Sequence, residues 1–130
     1  MSYKILVVDD EARIVETLAL VLRHNGYEIA GAYEGSSALA QSSEFHPDLL
    51  LTDVVMPGMD GIELSQRVVQ QVPTCKVLLL SGNAATAQML ERAHKRGLKL
   101  QLLSKPVHPL DLLRKIAEML IPPRCASPAE

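Results

Sequence analysis

Two rhythms of apolar and polar residues alternate along this chain. Residues 5–8 (Ile-Leu-Val-Val) form an unbroken apolar run. From about Glu11 to His24 the rhythm changes: Ile14, Leu18, Val21 and Leu22 recur at helical spacing, and Asn25-Gly26 supplies a stop. "YEIAGAY" then alternates like a half-buried strand, and "GSSALAQSSEF" reads as a short helix. "DLLLTD" and "KVLLLSG" are two more continuous apolar runs. Between them lies helical "MDGIELSQRVVQQV", with Leu64, Val68 and Val72 on one face. "NAATAQMLERAHKRG" is helical up to Gly97, "LKLQLLSKP" alternates again, and "HPLDLLRKIAEMLI" is the last helix, with Pro109 suited to its first turn. "PPRCASPAE", residues 122–130, has no core pattern and is expected to be a disordered tail or linker stub, leaving one domain over residues 1–121.

Strands alternating with helices imply βαβ units and a parallel sheet. Strands covered on both faces read as continuous apolar runs, whereas edge strands can alternate. The first, third and fourth strands are continuous; the second and fifth alternate. With right-handed crossovers, the predicted fold is an α/β, doubly wound, five-stranded parallel sheet of order 2-1-3-4-5, with helices on both faces. The direction of growth reverses between strands 1 and 3. In open α/β sheets, ligands bind beyond the carboxyl ends of the strands at such a point.

Composition narrows the functional classes. A chain of 130 residues suits a single domain. A formal net charge of −2 gives no sign of a nucleic-acid or anionic-membrane binder. The absence of Trp, with a single Phe, argues against a base-stacking platform. No apolar run reaches about 18 residues, so a cytoplasmic protein is expected. Cys75 and Cys125 lack metal-ligand spacing and read as two free thiols; His24, His46, His94 and His108 share no catalytic spacing and read as surface residues.

The chemistry lies at the strand ends. Strand 1 ends at Asp9-Asp10 and strand 3 at Asp53, and the topology brings these ends together. Each acid has an ordinary use: Asp after a strand can cap a helix, and Asp before "MPG" can form a turn. Together they are harder to explain so simply. Like charges about 4 Å apart repel by about 4 kcal/mol at an effective dielectric near 20. A fold tolerates that when an acid protonates or a cation sits between them. Three oxygen-donor acids suit Mg²⁺, which takes few carboxylates and keeps several waters. Ser81 ends strand 4 and Lys105 follows strand 5, on the same carboxyl edge.

"ILVVDDE", "DLLLTDVVMPGMDGIEL", "VLLLSG" and "SKP", in this order and spacing, resemble the receiver domain of two-component response regulators. The resemblance spans about residues 3–121 and implies a flavodoxin-like fold, of which the chemotaxis receiver is itself a standard example. It implies Asp53 as phosphoacceptor, taking a phosphoryl group from a phosphohistidine on a sensor histidine kinase or histidine phosphotransfer protein. It implies Mg²⁺ held by Asp10, Asp53 and the main-chain carbonyl of Val55, with Asp9 acting through a metal-bound water. Ser81 would hydrogen-bond a phosphoryl oxygen, and Lys105 would pair first with Asp53 and then with the phosphoryl group. Such a domain labels itself and loses the label; it is not a turnover enzyme.

Two positions depart from the family pattern. Leu102 stands where receivers commonly carry a switching Tyr or Phe. Val55 and Asn83 occupy the positions that tune phosphoryl lifetime, and Val55 cannot orient a water through its side chain, which implies a long-lived phosphoform. The expected output surface is helix 4, strand 5 and helix 5. On helix 5, Leu110, Leu113, Ala117 and Leu120 read as the core stripe. Leu112, Ile116 and Met119 widen the apolar arc to roughly 200°, beyond what one buried face needs. That excess, beside Leu102, is expected to be an effector or homodimer surface.

Three rivals bear weighing. A haloacid-dehalogenase-type phosphatase carries its Asp nucleophile after the first strand in a DxD pattern, where this chain has "DDE". A flavodoxin-like flavin binder needs a neutral phosphate loop where Asp9-Asp10 stand. A receiver-like interaction module that is never phosphorylated need not keep all five chemical positions filled.

Overall fold

The computed structural model describes residues 3–82, 86–95, 97 and 100–120. Five strands alternate with five helices: β1 (Lys4–Val8), α1 (Ala12–His24), β2 (Glu28–Ala32), α2 (Gly35–Phe45), β3 (Leu49–Asp53), α3 (Gly61–Gln71), β4 (Lys76–Ser81), α4 (Thr86–Lys95), β5 (Leu100–Ser104) and α5 (Pro109–Leu120). The sheet is parallel, in the order β2-β1-β3-β4-β5. Both the class and the order are those expected from the rhythm of the runs. Asn83, the residue 122–130 tail and Cys125 lie outside the described residues.

The sheet is covered on both faces. On one, Leu6, Val8, Leu50, Val77 and Leu79 meet Ala38 of α2, Leu64 and Val68 of α3, and Ala93 of α4. On the other, Ile5, Val7, Leu49, Leu51, Leu78 and Leu80 meet Val15, Ala19 and Leu22 of α1 and Leu112, Ile116 and Met119 of α5. Successive residues of a strand point to opposite faces, so a central strand must be apolar throughout. Burial of β1 and β3 is accordingly almost complete, while β2 and β5 are mixed.

On α1 the deepest residues are Val15, Ala19 and Leu22, flanked by half-buried Ile14, Leu18 and Val21. Gly26 takes φ +92 just past the Asn25 cap, the left-handed stop that the sequence implied. Leu64 and Val68 of α3, and Val72 at its C-terminal cap, are all buried as expected.

Helix α5 departs from expectation. Leu112 and Ile116 are fully buried, with Met119 and Leu120 nearly so, whereas Leu110 is exposed and Leu113 and Ala117 are half-buried. The stripe expected to be spare is therefore the core stripe. A wide apolar arc cannot reveal which of its edges faces the sheet; the packing of α5 against the sheet decides that. Leu102 is also displaced from the expected surface. It packs into the α2–α3–α4 cluster, while its neighbour Leu103 packs towards α1 and α5. The pleat puts the two on opposite faces.

Candidate functional site

Register sets the carboxyl edge. Val8 lies opposite Ala32 on one side and Thr52 on the other; Asp53 lies opposite Leu80, and Ser81 opposite Ser104. Asp9 and Asp10 thus leave β1 beside the end of β3. The Lys105 N–H donates to the Ser81 carbonyl at 2.8 Å, extending the β4–β5 ladder by one bond and placing the lysine over the same edge.

One carboxylate oxygen from each of Asp9, Asp10 and Asp53 can be chosen so that all three lie within 4.8 Å of one another. Lys105 Nζ stands 3.2 Å from Asp53 Oδ2 and 3.4 Å from Asp9 Oδ2. Asp53 therefore has a cationic partner, drawn from the far end of the sequence, and Lys105 bridges two acids where the resemblance implied one. Ser81 is buried at the end of β4 beside this cluster.

Exposure divides the acids. Asp9 is buried, Asp53 partly so and Asp10 exposed. Burial raises the Asp9 pKa above the ordinary carboxylate value, against the lowering pull of the Glu11 N–H and of Lys105. That N–H donates to Asp9 Oδ1 at 3.0 Å. For Lys105, burial pulls the pKa down, but Asp53 and Asp9 together outweigh it and the net shift is upward. The ordinary use weighed for Asp10 does not apply, because Glu11 occupies the N-cap position of α1 and no side chain caps it.

Three clustered carboxylates, one of them open to water, match the oxygen-rich, partly hydrated coordination of Mg²⁺. Val55 follows Asp53 by two residues and is exposed at the rim.

Residues 5–117 match the family described as the response regulator receiver domain. The chain belongs to that family. Among its relatives, the response regulator receiver protein CpdR of Brucella abortus (strain 2308) is 38% identical over 118 residues, which cover 91% of this chain and 97% of CpdR. The alkaline phosphatase synthesis transcriptional regulatory protein PhoP of Bacillus subtilis (strain 168) is 34% identical, over 99% of this chain but 53% of PhoP. The chain thus spans nearly all of one relative and about half of the other. Among solved structures, the chemotaxis protein CheY4 of Vibrio cholerae aligns with a TM-score of 0.83 at 29% identity, covering 92% of this chain and 100% of that one. The receiver domain of the hybrid histidine kinase CckA aligns with a TM-score of 0.75 at 31% identity, covering 90% and 98%.

Several features of this receiver had escaped sequence reasoning. The four histidines are exposed, as expected, but three have structural work. His108 Nδ1 accepts the Leu110 N–H at the start of α5, His94 Nε2 lies 3.1 Å from the Leu100 carbonyl, and His46 takes φ 51 at the end of α2. Cys75 is a free, buried thiol, its pKa pushed up to about 12 chiefly by burial. Among the described residues no helix is long and apolar enough to cross a membrane.

Proposed function

We propose that this receiver takes up a phosphoryl group on Asp53, with Mg²⁺, from a phosphohistidine on a sensor histidine kinase or histidine phosphotransfer protein. The observation that carries the reading is the cluster itself: three carboxylates within 4.8 Å, with Lys105 Nζ bridging Asp9 and Asp53.

In the proposed step an Asp53 carboxylate oxygen attacks phosphorus in line with the histidine nitrogen. The O–P bond forms, the P–N bond breaks, and the imidazole leaves with its electron pair, which takes a proton. Asp10, Asp53 and the Val55 carbonyl would hold the metal, and Asp9 would act through a bound water. Bound Mg²⁺ would neutralise charge on the phosphoryl oxygens. Lys105 sits where it can exchange its contact with Asp53 for one with a phosphoryl oxygen. The Ser81 hydroxyl, at the end of β4, would hold another. An apolar groove lined by Ile14, Leu18, Pro106 and Val107 opens beside Lys105 and supports approach by a protein donor. In this reading the domain is a cytoplasmic signalling switch and not a turnover enzyme. Its output would pass through α4, β5 and α5 by repacking of Leu102 inside the α2–α4 side of the core.

Incubation with acetyl phosphate or phosphoramidate and Mg²⁺ should add a single phosphoryl group, about 80 Da by mass spectrometry. Asp53→Asn should abolish the addition. Stoichiometric labelling of that variant would overturn the assignment.

A further inference from the structure

We propose that Gly61 is a positioning residue for Asp53, holding the acceptor carboxylate and the Val55 carbonyl in place by closing the base of the loop between β3 and α3. The inference rests on the reading of Asp53 as acceptor and adds a residue to it. After Asp53 the chain leaves the sheet, turns through Pro57-Gly58 and returns at Gly61, the first residue of α3. There the Gly61 N–H donates to the Val54 carbonyl at 2.8 Å, while the Val54 N–H donates to the Leu80 carbonyl of β4 at 3.1 Å. The loop is pinned at its neck to the strand that ends in Ser81.

Gly61 lies directly against the acceptor's backbone. A Cβ placed on it would collide with the Asp53 carbonyl oxygen and stand 3.0 Å from both the Asp53 carbonyl carbon and Val54 Cα. These are backbone atoms, so no rotamer change can relieve the overlap. Thr52 Oγ1 donates to the same Asp53 carbonyl at 3.0 Å. The turn that presses on it is itself fixed. The buried Ser65 hydroxyl donates to the Gly61 carbonyl at 2.6 Å, and Asp60 Oδ1 accepts the Glu63 N–H at 2.8 Å. With α3 packed onto the sheet through buried Leu64 and Val68, a methyl group at position 61 must force the Asp53–Val54 segment and the first turn of α3 apart. Displacements of about 1 Å in a reacting group can cost about a hundredfold in rate.

Gly31→Ala separates positioning from mere destabilisation. Its Cβ would meet Val15 Cγ1 at 2.8 Å, also a tight core contact but one made with a side chain on β2 and α1. Urea unfolding, Mg²⁺ titration followed by NMR, and phosphoryl uptake from acetyl phosphate are measured on the parent and both variants, under conditions where each is folded. Gly61→Ala should bind Mg²⁺ about tenfold more weakly and take up phosphate ten- to a hundredfold more slowly at saturating Mg²⁺. Gly31→Ala should match the parent on both. The Asp53 carboxyl-carbon resonance should move in Gly61→Ala and stay in Gly31→Ala, a readout that needs no phosphorylation. A folded Gly61→Ala with parental affinity, rate and Asp53 resonance overturns the inference, as do losses in both variants that simply follow stability. If the parent itself never labels, the acceptor reading fails and the Asp53 resonance alone decides the positioning role. Should Gly61→Ala not fold, Ser65→Ala releases the same turn without a clash; an unmoved Asp53 resonance there overturns the inference.

Discussion

Replacing Lys105 with Met removes the charge that binds Asp9 and Asp53 while keeping an apolar stem of similar length. The ammonium stands 3.2 Å from one carboxylate and 3.4 Å from the other. At an effective dielectric near 20 each attraction is about 5 kcal/mol, and each carboxylate repulsion at the 4.8 Å limit is at least about 3 kcal/mol. Desolvation of the partly buried ammonium offsets much of the attraction, and water reaches the site through exposed Asp10. The net loss at neutral pH should therefore be about 2–3 kcal/mol, somewhat below that for a pair fully cut off from water. Its pH dependence follows from the direction of the shifts. Burial already raises the Asp9 pKa, and losing the cation raises it further, so the folded variant holds protons that the unfolded chain has released. Its stability should rise as pH falls from neutral into the mildly acidic range, through the raised Asp9 pKa, recovering part of the deficit. Saturating Mg²⁺ should recover it at neutral pH. Urea unfolding of parent and variant at neutral and mildly acidic pH, with and without Mg²⁺, measures each quantity. A deficit that is constant across pH and indifferent to Mg²⁺ would show that the lysine acts by packing, and would refute the electrostatic account.

Asp10→Asn should weaken Mg²⁺ binding and phosphoryl uptake together, and should raise metal-free stability by about 0.5–1 kcal/mol through relief of carboxylate repulsion; untouched Mg²⁺ affinity would place the metal elsewhere. Leu112→Ala or Ile116→Ala should cost about 2–5 kcal/mol in urea unfolding, because both side chains are fully buried against the sheet. A near-neutral result would return α5 to the orientation first read from its apolar arc. Gln41 Nε2 donates at 3.0 Å to the Gly31 carbonyl on the unpaired side of edge strand β2, and Arg23 reaches the neighbouring Ile29 carbonyl at 3.4 Å. Gln41→Ala should cost about 1 kcal/mol, and with Arg23→Ala it should promote self-association in light scattering, since bare strand edges template pairing. A strictly monomeric double variant would show that these caps do not guard the edge.

The sequence by itself determined the fold class, the strand order and the identity of the carboxyl edge. Those depend on short-range regularities: a continuous run such as Ile5–Val8 means a strand covered twice, and an alternating one such as residues 98–104 means an edge. Asp9, Asp10, Asp53, Ser81 and Lys105 all lie at or just past strand ends, so once the order was known their meeting was legible too. Tertiary structure decided what depends on rotation and close approach. Periodicity gives the width of an apolar arc on α5 but not its zero of angle, so Leu112 and Ile116, read as spare, are core, and Leu110, read as core, is exposed. Alternation shows that Leu102 and Leu103 face opposite ways but not which of them meets α5. The bridge from Lys105 to both acids, and the fit of Gly61 against the Asp53 carbonyl, are ångström-scale contacts between segments far apart in the chain. Such distances are fixed only when both faces of the sheet are packed at once, which no local pattern of residues records.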